Sequence, residues 1–121
     1  MVNFIDSNDS ELYGLFDSMK TLIDIGRSKD LARIGDPIIN FAFSLAHSKI
    51  VKRFEGIKLS KKIQAQALRD AGLRECANLR PDAHDLADSA EAFCAYAYFK
   101  LDFSIEYMSE ILYVNMKEYG R

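Results

Sequence analysis

The chain has 121 residues, a formal net charge of −2 and 49% hydrophobic residues, with phenylalanine and tyrosine but no tryptophan. This length accommodates one domain, and the hydrophobic content predicts a packed core and excludes an intrinsically disordered chain. No apolar run is long enough to cross a bilayer, and the first six residues lack the pattern of a signal peptide, so we expect a cytoplasmic protein with no membrane partner.

Apolar residues recur at helical spacing along nearly the whole chain, and no segment alternates convincingly as a strand would. A first helix is predicted to begin after Ser10 and to stop at Gly26. A second is predicted from about Lys29 to Ile50, and Pro37 within it must either kink the helix or begin a new one. The predicted inner face of this second helix consists of Leu31, Ile34, Ile38, Phe41, Ala42 and Leu45.

The second half of the chain is predicted to be equally helical. Residues 54–59 form a connector, and Ser60 caps a third helix that reaches about residue 72. After a short element over residues 73–79, Asp82 caps a long apolar helix, and a final helix spans about Asp102 to Glu118. We therefore predict an all-α fold in which residues 1–121 form a single domain.

Three carboxylates stand out against this apolar pattern. The step Gly35-Asp36-Pro37 places a carboxylate within an apolar helix, where it needs a partner because burying a lone charge is costly. Asp88 and Glu91 are three residues apart and so share one helix face. Converging carboxylates favour a hard divalent cation such as Mg²⁺, although spacing alone does not distinguish such a site from a solvated acidic face.

Charge and cysteine placement add two further expectations. The segment from Lys49 to Arg80 carries nine basic against three acidic residues, which makes it a candidate surface for an anionic partner, unless these are simply solvated helix faces. Cys76 and Cys94 lie in apolar helical patterns, so we expect reduced core cysteines and no thiolate metal site.

Two stretches carry a family resemblance. Residues 31–41, Leu-Ala-Arg-Ile-Gly-Asp-Pro-Ile-Ile-Asn-Phe, resemble the signature helix of the ribonuclease III endonuclease domain, with its Leu-Gly-Asp core. Residues 86–98 are similar to that family's second motif, Ala-Asp-x-x-Glu-Ala before an aromatic-rich helix. The resemblance covers about residues 29–112. The Leu-Ala-x-x-Gly-Asp form resembles the small Mini-III branch, which has no double-stranded-RNA-binding domain.

The resemblance implies a Mg²⁺-dependent endoribonuclease, with Mn²⁺ as a possible substitute. Such an enzyme hydrolyses phosphodiester bonds in double-stranded or structured RNA and leaves 5′-phosphate and 3′-hydroxyl ends. The family's metal-binding catalytic carboxylates carry over to Asp36, Asp88 and Glu91. The chain departs from the pattern where full-length members carry further glutamates, at Lys29, Ala32 and Gln66.

The resemblance also implies an RNA-binding surface and a homodimer. Within the basic segment, the expected RNA contacts are Lys58, Lys61, Lys62 and Arg69. Arg33 stands where the family has a bulky apolar residue at its two-fold interface, and Phe41 is a second expected interface residue.

Two other functions remain open at this point. The departures suggest a catalytically silent domain of the same fold that binds RNA or a ribosomal particle. An all-α nucleoside triphosphate pyrophosphohydrolase ranks third, because that class uses more acidic residues in paired helical motifs. His84 lies one helical turn before Asp88, and for it we favour a position outside the site.

Overall fold

The computed structural model describes residues 10–118 and is all-α over this range. The helices are α1 (Ser10–Tyr13), α2 (Leu22–Gly26), α3 (Lys29–Val51), α4 (Lys61–Asp70), α5 (Ala83–Lys100) and α6 (Ile105–Glu118), and two 3-10 turns cover Gly14–Phe16 and Arg74–Cys76. Residues 1–9 and 119–121 lie outside the described part, and with them the opening stretch that lacks a signal-peptide pattern. None of the described helices is long and apolar enough to span a membrane.

Helix α5 is the centre of the fold. It makes extensive contacts with α3 and α4 and also contacts α2, whereas α6 packs mainly on α3. Several residues of α5 at these contacts are small: Ala87, Ala92 and Ala95 are fully buried. Their small size lets neighbouring helices approach α5 closely. On the same helix, the Ser89 hydroxyl donates to the carbonyl oxygen of Gly26 in α2 at 2.5 Å.

The predicted helix caps of the second half are confirmed. The Ser60 hydroxyl accepts a hydrogen bond from the Ile63 amide at 3.2 Å, at the start of α4. The Asp82 carboxylate accepts from the Asp85 amide at 2.8 Å, and Asp85 reciprocates in a capping box. Helix α6 begins at Ile105, three residues later than predicted, because Asp102 adopts a left-handed conformation with φ 59°.

The prediction of one continuous helix from Ser10 to Gly26 is wrong. Helix α1 ends at Tyr13, a 3-10 turn covers Gly14–Phe16, and the next helix begins only after Thr21. Thr21 and Asp24 form a capping box, in which the Thr21 hydroxyl accepts from the Asp24 amide and the Asp24 carboxylate accepts from the Thr21 amide, both at 3.1 Å. This reciprocal cap starts α2 afresh, and α2 ends at Gly26 as predicted.

Helix α3 runs without interruption through Pro37, but its buried face differs from the predicted one. Its buried residues are Leu31, Ala32, Gly35, Ala42 and Ala46. Ile34 and Phe41, predicted to face inward, are 49% and 55% exposed. Small side chains allow α3 to approach its neighbours closely along this stripe, and the bulky residues beside the stripe are left outside the contact.

The expectation of reduced cysteines agrees with the structure. Cys76 and Cys94 are free, and Cys76 is buried. Burial raises the pKa of the Cys94 thiol to about 12, so this side chain stays protonated at neutral pH.

Candidate active site

The crossing of α3 and α5 places Asp36 beside Glu91. Gly35 lies against the main chain of Glu91, and a Cβ atom at this position would overlap the Glu91 carbonyl oxygen. Glu91 is 2% exposed. Burial raises the pKa of Glu91, the Lys61 ammonium opposes this rise, and the neighbouring Asp36 adds to it. The glycine of the first motif thus brings one carboxylate from each motif together.

Lys61 supplies the cation that the buried carboxylate requires. Its Nζ lies 2.7 Å from Glu91 Oε2, and the Glu91 side chain is only 3% exposed. Burial lowers the pKa of Lys61, but the hydrogen bond to Glu91 and the negative charges of Glu91, Asp36 and Asp88 raise it overall. Lys61 therefore remains protonated beside Glu91.

Asp88 belongs to a second, adjoining group of polar side chains. Its Oδ2 lies 2.9 Å from Lys29 Nζ and 3.4 Å from His84 Nδ1, and Lys29 also contacts Asp85 Oδ1 at 3.0 Å. The hydrogen bond to Asp88 raises the pKa of Lys29, and the hydrogen bond from Lys29 lowers the pKa of Asp85. Lys29 thus neutralises part of the charge of Asp85 and Asp88.

Within residues 10–118, one trio of potential metal ligands has its donor atoms all within 4.8 Å of one another: His84, Asp85 and Asp88. Asp85 is absent from the predicted site, although its spacing of three residues before Asp88 is the same signal that joins Asp88 to Glu91. The three predicted carboxylates are thus divided between this trio and the Asp36–Glu91 pair. Carboxylates of both groups raise the pKa of Lys61: Glu91 and Asp36 from the pair, and Asp88 from the trio.

Asn40 is the second residue missing from the predicted site. Its Nδ2 donates to Asp36 Oδ1 at 2.8 Å and to the Asp36 carbonyl oxygen at 2.9 Å. Its Oδ1 accepts from the Leu59 amide at 2.7 Å. Asn40 therefore orients Asp36 and also joins α3 to the connector before α4. Its place one helical turn after Asp36 is the sequence signal that could have identified it.

Three of the predicted RNA-contacting residues, Lys58, Lys61 and Lys62, lie at or just before the start of α4, and Arg69 lies in its last turn. Lys58 has a 74% exposed side chain, and its Nζ is 3.9 Å from Asp36 Oδ2. Lys62 and Arg69 are also exposed. Lys61 differs from them because its ammonium contacts Glu91. Basic groups therefore border the carboxylates directly.

The remaining predicted positions are distributed over the surface and the core. Arg33 is exposed and pairs with Asp30 on its own helix at 3.3 Å. Gln66 donates to Asp70 at 2.9 Å along α4, and Ala32 is 3% exposed in the core. Ala32 thus contributes to the packing of the core.

The donor set suits a hard divalent cation. The carboxylate oxygens of Asp36, Asp88 and Glu91 are the ligand type that Mg²⁺ and Mn²⁺ accept. Each of these carboxylates already has an ammonium neighbour, however, from Lys58, Lys29 and Lys61 respectively. The residues fit a cation provided that it can replace at least the closest of these ammonium groups.

Comparison with known proteins assigns this arrangement to a family. A family model described as ribonuclease III matches residues 29–120, which is more than half of the chain and includes α3 to α6. The curated proteins and solved structures that were compared contain no significant match.

Proposed function

Because the chain belongs to the ribonuclease III family, we propose that it is a Mg²⁺-dependent endoribonuclease acting on double-stranded or structured RNA. One observation carries the proposal beyond family membership. The contact between Gly35 and Glu91 sets Asp36 beside a buried glutamate on the neighbouring helix. Paired carboxylates in a poorly hydrated place are the arrangement that a cation-assisted hydrolase needs.

In this proposal Asp36, Asp88 and Glu91 hold Mg²⁺, with Mn²⁺ as a substitute. When bound, the cation supplies an acidified water and offsets negative charge on the scissile phosphate. Glu91 is held rigidly on α5 by its burial, and Asn40 fixes the direction of the Asp36 carboxylate. The products carry 5′-phosphate and 3′-hydroxyl ends.

The RNA would be bound by the basic residues around α4. Lys58, Lys62 and Arg69 are exposed and suit contacts with phosphates across an A-form minor groove. Such binding depends on charge, so it weakens steeply as salt is added. Pairing of two chains through Phe41 and Arg33 would present two sites to one duplex, one for each strand.

A cleavage assay tests the proposal. Purified chain is incubated with end-labelled double-stranded RNA and Mg²⁺, beside Asp36→Asn and Glu91→Gln. Because loss of even an outer-shell group costs about 10–100-fold in metal sites, we expect each variant to lose at least about 100-fold in rate. Glu110→Gln, which alters an exposed glutamate paired with Lys49, should cleave normally. Cleavage that survives both site substitutions would rule out the proposed site.

A second function is favoured by the three lysines at the carboxylates. Lys29, Lys58 and Lys61 together neutralise much of the acidic charge, which is the arrangement expected of a silent RNA- or ribosome-binding domain. Binding of RNA without cleavage by the unmodified chain would favour it. The family match gives no support to a nucleoside triphosphate pyrophosphohydrolase.

A further inference from the structure

Resting on the proposed function, we infer that Lys61 competes with the divalent cation for Glu91. Its ammonium holds the carboxylate until the cation replaces it, so cation binding is an exchange reaction. Lys61 is therefore a residue that sets the affinity of the site for its metal.

The position of the Lys61 ammonium supports this competition. It lies 2.7 Å from Glu91 Oε2, and the carboxylate is nearly inaccessible to water. An unpaired carboxylate in that place would be strongly destabilising, and Lys61 is the cationic partner that the structure gives it. The negative charges of Asp36 and Asp88 also act on this ammonium and favour its charged form.

Helix α4 itself does not favour a cation at the position of Lys61. Lys61 is the first residue of α4, and the amino end of a helix carries partial positive charge that repels an ammonium group. The orientation of Lys61 is therefore determined by the carboxylates. Its side chain is 41% exposed, so it can swing into solvent without disrupting the core.

Electrostatic repulsion keeps the Lys61 ammonium apart from a divalent cation bound at Glu91. An ammonium and a divalent cation about 4 Å apart repel each other strongly even at an effective dielectric constant of 20. The two therefore cannot share Glu91, and cation binding must release Lys61. Once released, the ammonium joins exposed Lys58 and Lys62 as a group able to contact an RNA phosphate, which couples metal binding to RNA binding.

The test compares Mn²⁺ affinity, measured by electron paramagnetic resonance, in the unmodified chain, Lys61→Gln and Lys62→Gln. The two variants change net charge equally, but Lys62 is exposed and adjacent to the ion pair. Removing a competing ion pair of this kind is expected to tighten Mn²⁺ binding about tenfold in Lys61→Gln. Lys62→Gln should stay within about twofold of the unmodified chain. Equal effects of the two substitutions, or weaker binding in Lys61→Gln, would overturn the inference.

A second readout uses the unsubstituted chain and so does not depend on the folding of Lys61→Gln. Lysines are labelled by reductive ¹³C-methylation, and the methyl signals of Lys61 and Lys62 are followed by NMR during Mg²⁺ titration. We expect the chemical shift of the Lys61 methyl signal to move toward the value of an exposed lysine, and the chemical shift of the Lys62 signal to stay unchanged. A stationary Lys61 signal while Mg²⁺ binds overturns the exchange but leaves the proposed function intact. If neither the unmodified chain nor any variant binds Mg²⁺ or Mn²⁺, both the inference and the proposed function are overturned.

Discussion

At the scale of single residues, the site depends on side chains that keep its carboxylates in place. Asn40 contacts Asp36 twice and the Leu59 amide once, with all three hydrogen bonds between 2.7 and 2.9 Å. It therefore links the first motif to the connector that leads into α4. Because α4 begins with Lys61, the same asparagine indirectly positions the ammonium at Glu91.

Asn40→Ala should destabilise the protein more than a typical surface substitution does. It removes both hydrogen bonds to Asp36 and leaves the Leu59 amide without its acceptor, so we expect the free energy of unfolding to fall by about 1–3 kcal/mol. Urea unfolding measures this change. Asn115→Ala is a matched control, because exposed Asn115 donates to the Ile111 carbonyl oxygen on its own helix, and its effect should stay within about 0.5 kcal/mol. Equal losses in the two variants would contradict the role given to Asn40.

At the scale of secondary-structure elements, the decisive contact is the crossing of α3 and α5. It is made through glycine and alanine residues, which bring two main chains together and align the carboxylates of the two motifs. Gly35 lies directly against the main chain of α5. A side chain here has no free space, because the atoms it would meet belong to the main chain of Glu91 and cannot rotate away.

Gly35→Ala should therefore destabilise the chain although alanine favours helices. In an open helix this change is stabilising by about 1 kcal/mol, but here we expect a loss of about 3 kcal/mol or more as α3 and α5 are forced apart. Gly56→Ala is the control, since a Cβ atom there meets no atom within 4 Å, and its effect should be within about 0.5 kcal/mol. The measurement is the midpoint of guanidinium unfolding. Unchanged stability in Gly35→Ala would refute the close crossing.

Local signals in the sequence predict much of this fold. Ser60 and Asp82 mark two helix starts correctly, and apolar periodicity gives α3 almost to the residue. Apolar periodicity misses the break before Thr21, where a capping box competes with helical spacing. It also predicts that Ile34 and Phe41 face the core, whereas both are about half exposed. Hydrophobicity alone favours large residues for a core, whereas a close helix crossing selects small ones.

The site shows a similar division. The motifs identify Asp36, Asp88 and Glu91 as residues to examine, and the structure places Asp36 beside Glu91. The pairing of Lys29 with Asp88 and of Lys61 with Glu91 could not be predicted, because these partners are 59 and 30 residues apart. Such contacts depend on how α3, α4 and α5 pack, and single-sequence patterns carry no such information.

At the scale of the whole molecule, exposed apolar side chains remain on α3 after the core is complete. Ile34 and Phe41 are seven residues apart and about half exposed, so they share one face of the helix. Exposed large apolar side chains that share one helix face are typical of a protein interface. Their exposure is consistent with the proposed two-fold homodimer, in which each chain would present the same face.

Phe41→Glu should convert the proposed dimer to a monomer. A charge placed at the centre of a two-fold interface is brought near its symmetry mate and loses hydration, so the mass in light scattering after size exclusion should fall to about half. Phe54→Glu is the control, because Phe54 is 94% exposed and lies in the connector rather than on α3. A dimer that survives Phe41→Glu, or an unmodified chain that is already monomeric, would contradict this interface.

The central claim is that the carboxylates brought together by α3 and α5 hydrolyse RNA with the help of Mg²⁺. Its most direct measurement is mass spectrometry of the ends produced when the unmodified chain and Glu91→Gln are incubated with double-stranded RNA and Mg²⁺. We predict 5′-phosphate and 3′-hydroxyl ends from the unmodified chain, none after chelation of the metal, and none from Glu91→Gln. Intact RNA throughout, or fragments ending in 2′,3′-cyclic phosphate, would contradict the account.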